Sequence, residues 1–436
     1  MKLDVKKHIK QGNFGLEKES IRVDVFGYGT KTKHPFKNNA KMERDFCENQ
    51  TELITGVCKS VDEVFEEMSQ LQKDATQMLQ NLETGPELLW PFSNPPYIGE
   101  EEQIPVARYD KSMKGKERYR EYLAEKYGKK KMLFSGIHYN FSFSEQLLLE
   151  EYENKKQELS YEVYKNDLYL DLAAKVTKYS WFFVYLTAAS PIMDGSFFYD
   201  EMAGVDVFTG YASPRCGDGG YWNQFLPVLD FSSIDSYVES IHRYIEEGKL
   251  KSSSELYYPV RLKPKGSNDE TSLRQYGVNH IELRMFDLNP FSKVGVIKED
   301  LKFVHLLLLY LASKEKEKFG AIEQIIAIQN AKEAAKFDDN EIEIHITSDM
   351  KQPIKSCAMK VLNKMEEFYE KLDIKDAEGI INYQKDKIMI LGNRYVQRVK
   401  RKFGHDYVKR GYDAAKGYAA DFSFFTRGDT GSNYGV

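Results

Sequence analysis

The sequence predicts an α+β fold in which helices pack on one face of an antiparallel sheet. Two observations lead to this prediction. Several short segments alternate apolar and polar side chains, which is typical of strands with one buried and one polar face. Stretches with helical spacing separate these segments, without the regular strand–helix alternation of a doubly wound fold.

The predicted strands carry unusual polar faces. The clearest alternation covers 280–285, where His280, Glu282 and Arg284 share one face. Segments 257–263, 137–143 and 16–23 alternate in the same way. Their polar positions are Tyr257, Arg261 and Lys263; His138, Asn140 and Ser142; and Glu17 and Glu19.

The predicted helices lie between and after these strands. A capping-box pattern from Ser60 to Glu63 opens a helix over 61–83. Further helical stretches cover 155–190, ending at Pro191, and 298–313. The Lys-rich segments 360–373 and 393–415 keep helical spacing, and we interpret them as covering helices. Residues 426–436 are rich in Gly, Ser and Asp and are predicted to be mobile.

Composition excludes several classes of protein. The chain of 436 residues has 62 basic and 67 acidic side chains, so it lacks the positive charge of a nucleic-acid binder. The longest apolar runs, Trp181–Ile192 and Phe303–Ala312, are too short to span a bilayer. No secretory signal is visible, and the four cysteines form no CxxC pair, so we expect reduced thiols in a cytoplasmic protein without membrane contact. P-loop, GxGxxG, GxSxG and HExxH motifs are absent.

Carboxylates cluster on the predicted strands. Glu17 lies near Glu19, and a second group comprises Asp45, Glu48 and Glu52. Any single polar face is most simply a solvated surface, but such a surface would be expected to carry Lys, the commonest cation here. Clustered carboxylates repel each other unless a cation neutralises them, and oxygen ligands with an imidazole suit Mg²⁺ or Mn²⁺. With nearby arginines, such a face indicates metal-dependent phosphoryl chemistry.

Many separate segments between about Phe14 and Leu308 resemble the bacterial type of glutamate–cysteine ligase (γ-glutamylcysteine synthetase), and also the ligase portion of bifunctional glutathione synthetase. The matching motifs occur in the same order along the chain. They are 15–23 (GLEKESIRV), His34-Pro35, 45–55 (DFCENQTELIT), Trp90-Pro91, 119–121 (YRE), 135–142 (SGIHYNFS), 188–191 (AASP), Arg215 with Gly220-Tyr221, 255–261 (ELYYPVR) and 281–291 (IELRMFDLNPF).

The resemblance implies a glutamine-synthetase-like catalytic domain, a curved antiparallel sheet that holds ATP, metals and glutamate. It implies that ATP phosphorylates the γ-carboxylate of glutamate and that the cysteine amine then displaces phosphate to give γ-glutamylcysteine, the first step of glutathione biosynthesis. We therefore expect one catalytic domain over 1–436. Its parts would be a motif-bearing core at about 12–315, a helical Lys-rich part at about 316–425 and the tail 426–436.

The resemblance also assigns site residues. Glu282, Arg215 and Arg284 would be catalytic, and Arg261 and Arg284 would bind ATP. Arg120 would suit the cysteine carboxylate. The metal site, for two or three Mg²⁺ or Mn²⁺ ions, would comprise Glu17, Glu19, Asp45, Glu52, His138 and Glu282. The substrate-binding residues would be Tyr119, Arg120, Leu123, Arg215, Tyr221 and Tyr257.

Other residues in the matched motifs have simpler interpretations. Glu48 and Arg22 would brace the sheet through ion pairs, and His280 would be solvated or structural. Asn289-Pro290 would be a turn. Cys47, Cys58 and Cys216 would be buried thiols, because the reacting thiol belongs to the substrate.

Two departures from the family leave alternatives open. The loop 213–221 is rich in glycine, which leaves the identity of the amine acceptor open. A related carboxylate–amine ligase that uses another amine is one alternative. A non-catalytic relative that binds ATP or amino acids is the other. We expect synthesis to stop at γ-glutamylcysteine, because no room remains for an ATP-grasp domain. We also expect small-molecule partners only, and a monomer or weak homo-oligomer.

Overall fold

The computed structural model describes residues 3–37, 39–155 and 158–427, with side chains up to 422. Its main sheet is antiparallel, in the order β2-β3-β1-β5-β9-β8, and β4 pairs with the end of β1. Two short hairpins, β6–β7 and β10–β11, lie outside this sheet. The strands are β1 Gly12–Val23, β2 Met42–Arg44, β3 Gln50–Ile54, β4 Leu88–Leu89, β5 Ile137–Phe143, β6 Ile192–Asp194, β7 Asp206–Phe208, β8 Val260–Pro264, β9 Val278–Phe286, β10 Glu343–His345 and β11 Lys351–Pro353.

Helices surround the sheet and continue through the C-terminal part. They are α1 Val5–His8, α2 Val61–Gln80, α3 Lys114–Tyr127, α4 Glu145–Asn154, α5 Tyr161–Lys178, α6 Ser180–Thr187, α7 Ile234–Glu246, α8 Glu270–Tyr276, α9 Lys298–Ala312, α10 Ala321–Ala334, α11 Ile354–Lys371, α12 Asp376–Met389, α13 Tyr395–Phe403 and α14 Tyr407–Arg427.

The predicted fold class is confirmed. The apolar side chains of the alternating strands, such as Tyr139 on β5 and Leu283 on β9, lie in the largest core cluster. Helices α2, α5 and α6 pack against this side of the sheet, and α9 packs on α2 and α5. Burial of this one face determines which side of every strand remains available to ligands.

The helix boundaries differ from the predictions in informative ways. Helix α2 begins at the predicted cap, where the Ser60 hydroxyl accepts a 3.1 Å hydrogen bond from the N–H of Glu63. The Glu63 carboxylate accepts from the N–H of Lys59 rather than completing the box at Ser60. The single predicted helix over 155–190 is two helices, α5 and α6, which meet at Tyr179.

A second core lies at one end of the sheet. Trp90 is fully buried there, and its indole N–H donates to the carbonyl oxygen of Asn94 at 2.9 Å. The hydroxyl of Tyr407, from the start of α14, donates to the same carbonyl. Gly411 of α14 lies so close that a Cβ there would be 2.1 Å from the Trp90 ring. The C-terminal helices therefore form part of the packed interior.

Two predictions concern the chain as a whole. Within the described ranges, no helix has the length and apolarity that crossing a bilayer requires.

Residues 426 and 427 belong to α14, and the rest of the tail predicted to be mobile, 428–436, lies outside the described residues.

Candidate active site

Strand register brings the predicted metal-site residues onto one surface. Glu19 on β1 is paired with Glu52 on β3, and Glu17 on β1 is paired with His138 on β5. Glu282 on β9 is paired with Asn140 on β5. Residues paired across antiparallel strands point to the same face, so four strands contribute to one site. This face is opposite the helices.

His138 is at the centre of the cluster. Its Nδ1 lies 3.0 Å from Glu17 Oε2 and 3.8 Å from Glu282 Oε1, and its Nε2 lies 3.6 Å from Glu19 Oε1. The register of β5 against β9 shifts between Ile137 and Tyr139, so His138 lies at a bulge. Such irregularities redirect a side chain within a sheet.

Two carboxyls of the cluster, Glu19 and Glu52, are disfavoured in their ionised form. Burial, then the charge of Asp45, raises the pKa of Glu19 to about 8, against a smaller lowering by Arg215 and Arg284. Burial, followed by Glu17, Asp45 and Glu19, raises the pKa of Glu52 well above its usual range. Asp45, which follows β2, is therefore close enough to act on both carboxyls. This side of the site is poor in cations.

The other side of the cluster has the opposite balance. Burial alone would raise the pKa of Glu282, but the cations around it, led by Lys263 and Arg284, hold it well below the usual value. Burial opposes ionisation of Glu17 as well, yet its hydrogen bond with His138 lowers the pKa overall. Glu17 and Glu282 are therefore held ionised, as metal ligands must be.

The residues fit a divalent cation. Glu17, Glu52 and His138 each offer a ligand atom, and these atoms lie within 4.8 Å of one another. The Nε2 atom of His138 is buried and has no hydrogen-bond partner among the described residues. Carboxylate oxygens with one imidazole match the preferences of Mg²⁺ and Mn²⁺.

Two arginines border the cluster. Arg284 Nη1 lies 3.2 Å from Glu282 Oε2, on the same strand. Arg215 comes from the loop between β7 and α7, and its Nη1 donates a 2.6 Å hydrogen bond to the carbonyl oxygen of Arg284. Its guanidinium packs on Gly136, where a Cβ would lie 2.6 Å from Cζ. The N–H of Gly136 donates to Glu19 at 2.9 Å, so the glycine contacts both the cation and the carboxyl.

The glycine-rich loop fixes Arg215 relative to Tyr221. The N–H of Tyr221 donates to the carbonyl oxygen of Arg215 at 2.8 Å. A Cβ at Gly220 would lie 2.1 Å from that same oxygen, so only glycine allows the loop to close. The glycine content that departs from the family pattern therefore produces a tight turn at the edge of the site.

Three tyrosines form a wall beside the arginines. The rings of Tyr221 and Tyr257 are 4.4 Å apart, and both residues line a cavity with Arg215 and Arg284. Burial raises the pKa of Tyr119 to about 12 and of Tyr257 well above its usual value. The Tyr257 hydroxyl lies near that of Tyr221 and the Tyr119 hydroxyl near Ser252, but neither makes a well-formed hydrogen bond with a described residue. Leu123 is buried in the same core.

Two predicted binding arginines are engaged with the main chain. Arg120 donates to the carbonyl oxygens of Asp45, Arg44 and Lys116, and this attaches α3 to the segment that carries Asp45. Arg261 donates to the carbonyls of 256 and 254 at 2.8 and 2.7 Å. These contacts position neighbouring segments, and any direct role in substrate binding stays a prediction.

The residues with simpler interpretations behave much as expected. The Glu48 carboxylate accepts hydrogen bonds from the main-chain N–H groups of His34 and Arg108. Arg22 forms its ion pair with Glu87, at 2.6 Å. His280 is half-buried beside Asn279, and Pro290 lies in a turn. All four cysteines, which lie in the described part of the chain, are buried and free.

The sequence interpretation missed three residues of the site. Asn140 donates to Glu17 Oε1 at 3.0 Å, and Lys263 lies 3.5 Å from Glu282 Oε1. Both are on the polar faces that the alternation identified, so strand period alone places them in the site. Gly136 lies in the matched motif 135–142, but that motif does not indicate its role, which comes from the non-local approach of Arg215.

Known proteins resemble this chain over nearly its whole length. The family described as glutamate–cysteine ligase matches residues 2–334. The glutathione biosynthesis bifunctional protein GshAB of Listeria monocytogenes is 36% identical over 95% of this chain and 55% of its own length. The one from Clostridium perfringens is 35% identical over 90% of this chain and 55% of its length. The chain thus spans about half the length of the curated relatives it matches.

Two solved structures have similar folds. A bifunctional glutathione synthetase from Pasteurella multocida has a TM-score of 0.81 and 28% identity, covering 96% of this chain and 53% of that one. A glutamate–cysteine ligase from Francisella tularensis, solved in complex with AMP, also has a TM-score of 0.81, with 24% identity over 94% of this chain and 89% of that one. The second likeness concerns the fold only.

Proposed function

The chain belongs to the glutamate–cysteine ligase family, and from this membership we propose that it joins the γ-carboxylate of L-glutamate to the amine of L-cysteine. ATP would be converted to ADP and phosphate in the reaction. The single observation that best supports the proposal is the His138-centred carboxylate cluster beside Arg215 and Arg284, because it combines a cation site with guanidinium groups.

The reaction requires an activated acyl group. A carboxylate is a poor acyl donor until one of its oxygens is made a leaving group. A γ-carboxylate oxygen of glutamate would attack the γ-phosphorus of ATP, and the bond to ADP would break. The nitrogen of cysteine would then attack the carbonyl carbon of γ-glutamyl phosphate, the carbon–oxygen bond to phosphate would break, and the nitrogen would lose a proton.

Residues at different positions in the site would have different roles in this reaction. Bound divalent cations, Mg²⁺ or Mn²⁺, would neutralise charge on the triphosphate and the acyl phosphate. The metal-site residues proposed to hold them are Glu17, Glu19, Asp45, Glu52, His138 and Glu282. Arg284 and Arg215 would stabilise the transferred phosphoryl group, because guanidinium groups bind its oxygens well.

The tyrosine wall would form the acceptor side. The buried hydroxyls of Tyr119 and Tyr257 make no well-formed hydrogen bond with a described residue, and a buried hydroxyl normally makes one. A ligand with polar groups would supply it. Tyr221 connects this wall to Arg215, which would keep the amine near the acyl phosphate.

The chain would act as one catalytic unit on small-molecule substrates, as a cytoplasmic monomer or weak homo-oligomer. Residues from the C-terminal part contribute to both cores, Ile381 to the first and Tyr407 to the second, which supports one unit over 1–436.

The proposal is tested by incubating the protein with ATP, Mg²⁺, glutamate and cysteine and identifying the product by mass. We expect γ-glutamylcysteine with stoichiometric ADP. Faster ADP release with another amine in place of cysteine would identify a different ligase. Nucleotide binding without turnover on any amine of the panel would identify a binding protein.

A further inference from the structure

The two oxygens of the Glu282 carboxylate have different neighbours. Its Oε1 lies 3.5 Å from Lys263 Nζ and 3.8 Å from His138 Nδ1. Its Oε2 lies 3.2 Å from Arg284 Nη1 and 3.9 Å from Arg261 Nη1. Oε1 therefore faces the imidazole and the ammonium, and Oε2 faces the two arginines.

A cation held by Glu17, His138 and Glu282 would need Oε1. That oxygen is the one next to the Lys263 ammonium, whereas the arginines can remain on Oε2. Lys263 thus neutralises the atom that a divalent cation would use. Like charges repel, so the ammonium must leave Oε1 when the cation binds.

The Lys263 side chain is less restrained than that of Arg261. It lies on β8, the edge strand of the sheet, and its side chain is 17% exposed. Its contact with Glu282 is the only hydrogen bond or ion pair of its ammonium among the described residues. Arg261, two residues earlier, is held by two main-chain carbonyls.

We propose that Lys263 is an exchangeable counter-ion, which pairs with Glu282 in the empty site and transfers to the β- and γ-phosphate oxygens when nucleotide and metal bind. This inference rests on the proposed function and names a further binding residue for the same site. The ammonium would compete with the metal in the empty protein and contribute to nucleotide affinity in the loaded one.

The test uses two measurements that respond in opposite directions. Binding of Mn²⁺ without nucleotide is followed by the electron paramagnetic resonance signal of the free ion. Removal of the competing ammonium in Lys263→Met should tighten this binding ~3- to 10-fold. Binding of the non-hydrolysable ATP analogue AMP-PNP with Mn²⁺, measured by calorimetry, should weaken ~10-fold. Binding of AMP, which lacks the β- and γ-phosphates, should not change.

Two variants control the experiment. Lys263→Arg retains the charge and should keep most of the AMP-PNP affinity. Lys265→Met removes an exposed lysine just beyond β8 and should match the wild type in both measurements. Weaker binding of both Mn²⁺ and AMP-PNP in Lys263→Met would reveal a structural role and overturn the proposal. Unchanged AMP-PNP affinity would also overturn it, whatever happens to Mn²⁺.

The failure of this inference is distinguishable from the failure of the proposed function. If the wild type binds AMP-PNP with Mn²⁺ and the Lys263→Met protein binds it equally well, only the role of Lys263 is wrong. If the wild type does not bind AMP-PNP at all, the proposed function itself fails.

Discussion

Arg215 donates its hydrogen bond to the main-chain carbonyl of Arg284, so one arginine is fixed on the backbone that carries the other. The bond joins the loop between β7 and α7 to strand β9. The side chain of Arg284 stays directed at Glu282, and Arg215 lies against Gly136. The spacing of the two guanidinium groups is thus set by the main chain, which favours preorganised binding of an anion.

Gly136→Ala should reduce turnover without unfolding the protein. The added Cβ would lie 2.6–2.7 Å from three guanidinium atoms of Arg215, so that side chain must move away from Arg284. A displacement of about 1 Å at a catalytic group can lower the rate ~100-fold. Steady-state kinetics and circular dichroism would measure the two effects.

Gly379→Ala is the matched control for this variant. Gly379 lies within α12, and a Cβ added there would meet no atom within 4 Å. Alanine is the better helix former by about 1 kcal/mol, so this variant should keep full activity and unfold slightly later. Equal activity of both glycine variants would contradict the assigned packing of Arg215.

Glu52→Gln and Glu282→Gln should both lose turnover and yet change stability in opposite directions. Loss of a proposed metal ligand should lower the rate about 1000-fold in either case. Glu52 repels neighbouring carboxyls, so its neutral variant should be more stable by about 1 kcal/mol in metal-free buffer. Glu282 is surrounded by cations, so its variant should lose about 3 kcal/mol.

Urea unfolding in the presence of EDTA measures these stabilities at pH 8. A decrease for Glu52→Gln, or unchanged turnover for either variant, would show that the cluster has another role.

Tyr257→Phe should weaken cysteine binding and spare the stability of the protein. The Tyr257 hydroxyl is buried beside that of Tyr221 and makes no well-formed hydrogen bond with a described residue, so its removal should change the free energy of unfolding by no more than about 1 kcal/mol. If cysteine supplies the partner, its KM should rise about tenfold. The KM for ATP should stay constant; a parallel rise would point to a general distortion.

His305 should make the protein less stable in mild acid. Burial, followed by the charge of His8, lowers the pKa of His305 to about 3. The ring lies edge-on to Phe14 at 4.9 Å and near Phe141. A lowered pKa means that the unfolded chain binds the proton more readily, so stability is present above pH 6.5 and is lost as the pH falls towards 3.

The expected loss is about 1.4 kcal/mol for each pH unit below 6.5. Urea unfolding of the wild type and of His305→Leu at pH 7.5 and pH 5.5 would isolate this contribution. The variant should lose less stability between the two pH values, and identical losses would contradict the assignment.

The alternation of apolar and polar residues was sufficient to predict much of the sheet. Segment 137–143 is a strand with the predicted bounds, and 280–285 lies within β9, because a period of two is a property of the strand itself. Register is different, since the pairing of Glu19 with Glu52 depends on contacts between distant segments. The local sequence pattern therefore predicts that carboxylates cluster, whereas the distances between those carboxylates depend on the tertiary fold.

The features that local spacing did not indicate have a shared physical origin in contacts between distant segments. No Gly or Pro marks the break between α5 and α6 at Tyr179, where α6 turns into the core and is buried on nearly all sides. The engagement of Arg120 with the carbonyls of 44 and 45 joins α3 to a loop some 75 residues away. Such tertiary contacts override what local spacing indicates.

The packing of α14 on Trp90 limits how far the chain can be shortened. The match to the glutamate–cysteine ligase family covers residues 2–334, but the Tyr407 hydroxyl and Gly411, beyond it, complete the surroundings of Trp90. A fragment cut at 334 would leave that indole against water and lose a large apolar surface. The smallest useful fragment for expression or crystallisation is therefore defined by this helix, well past the last recognisable motif.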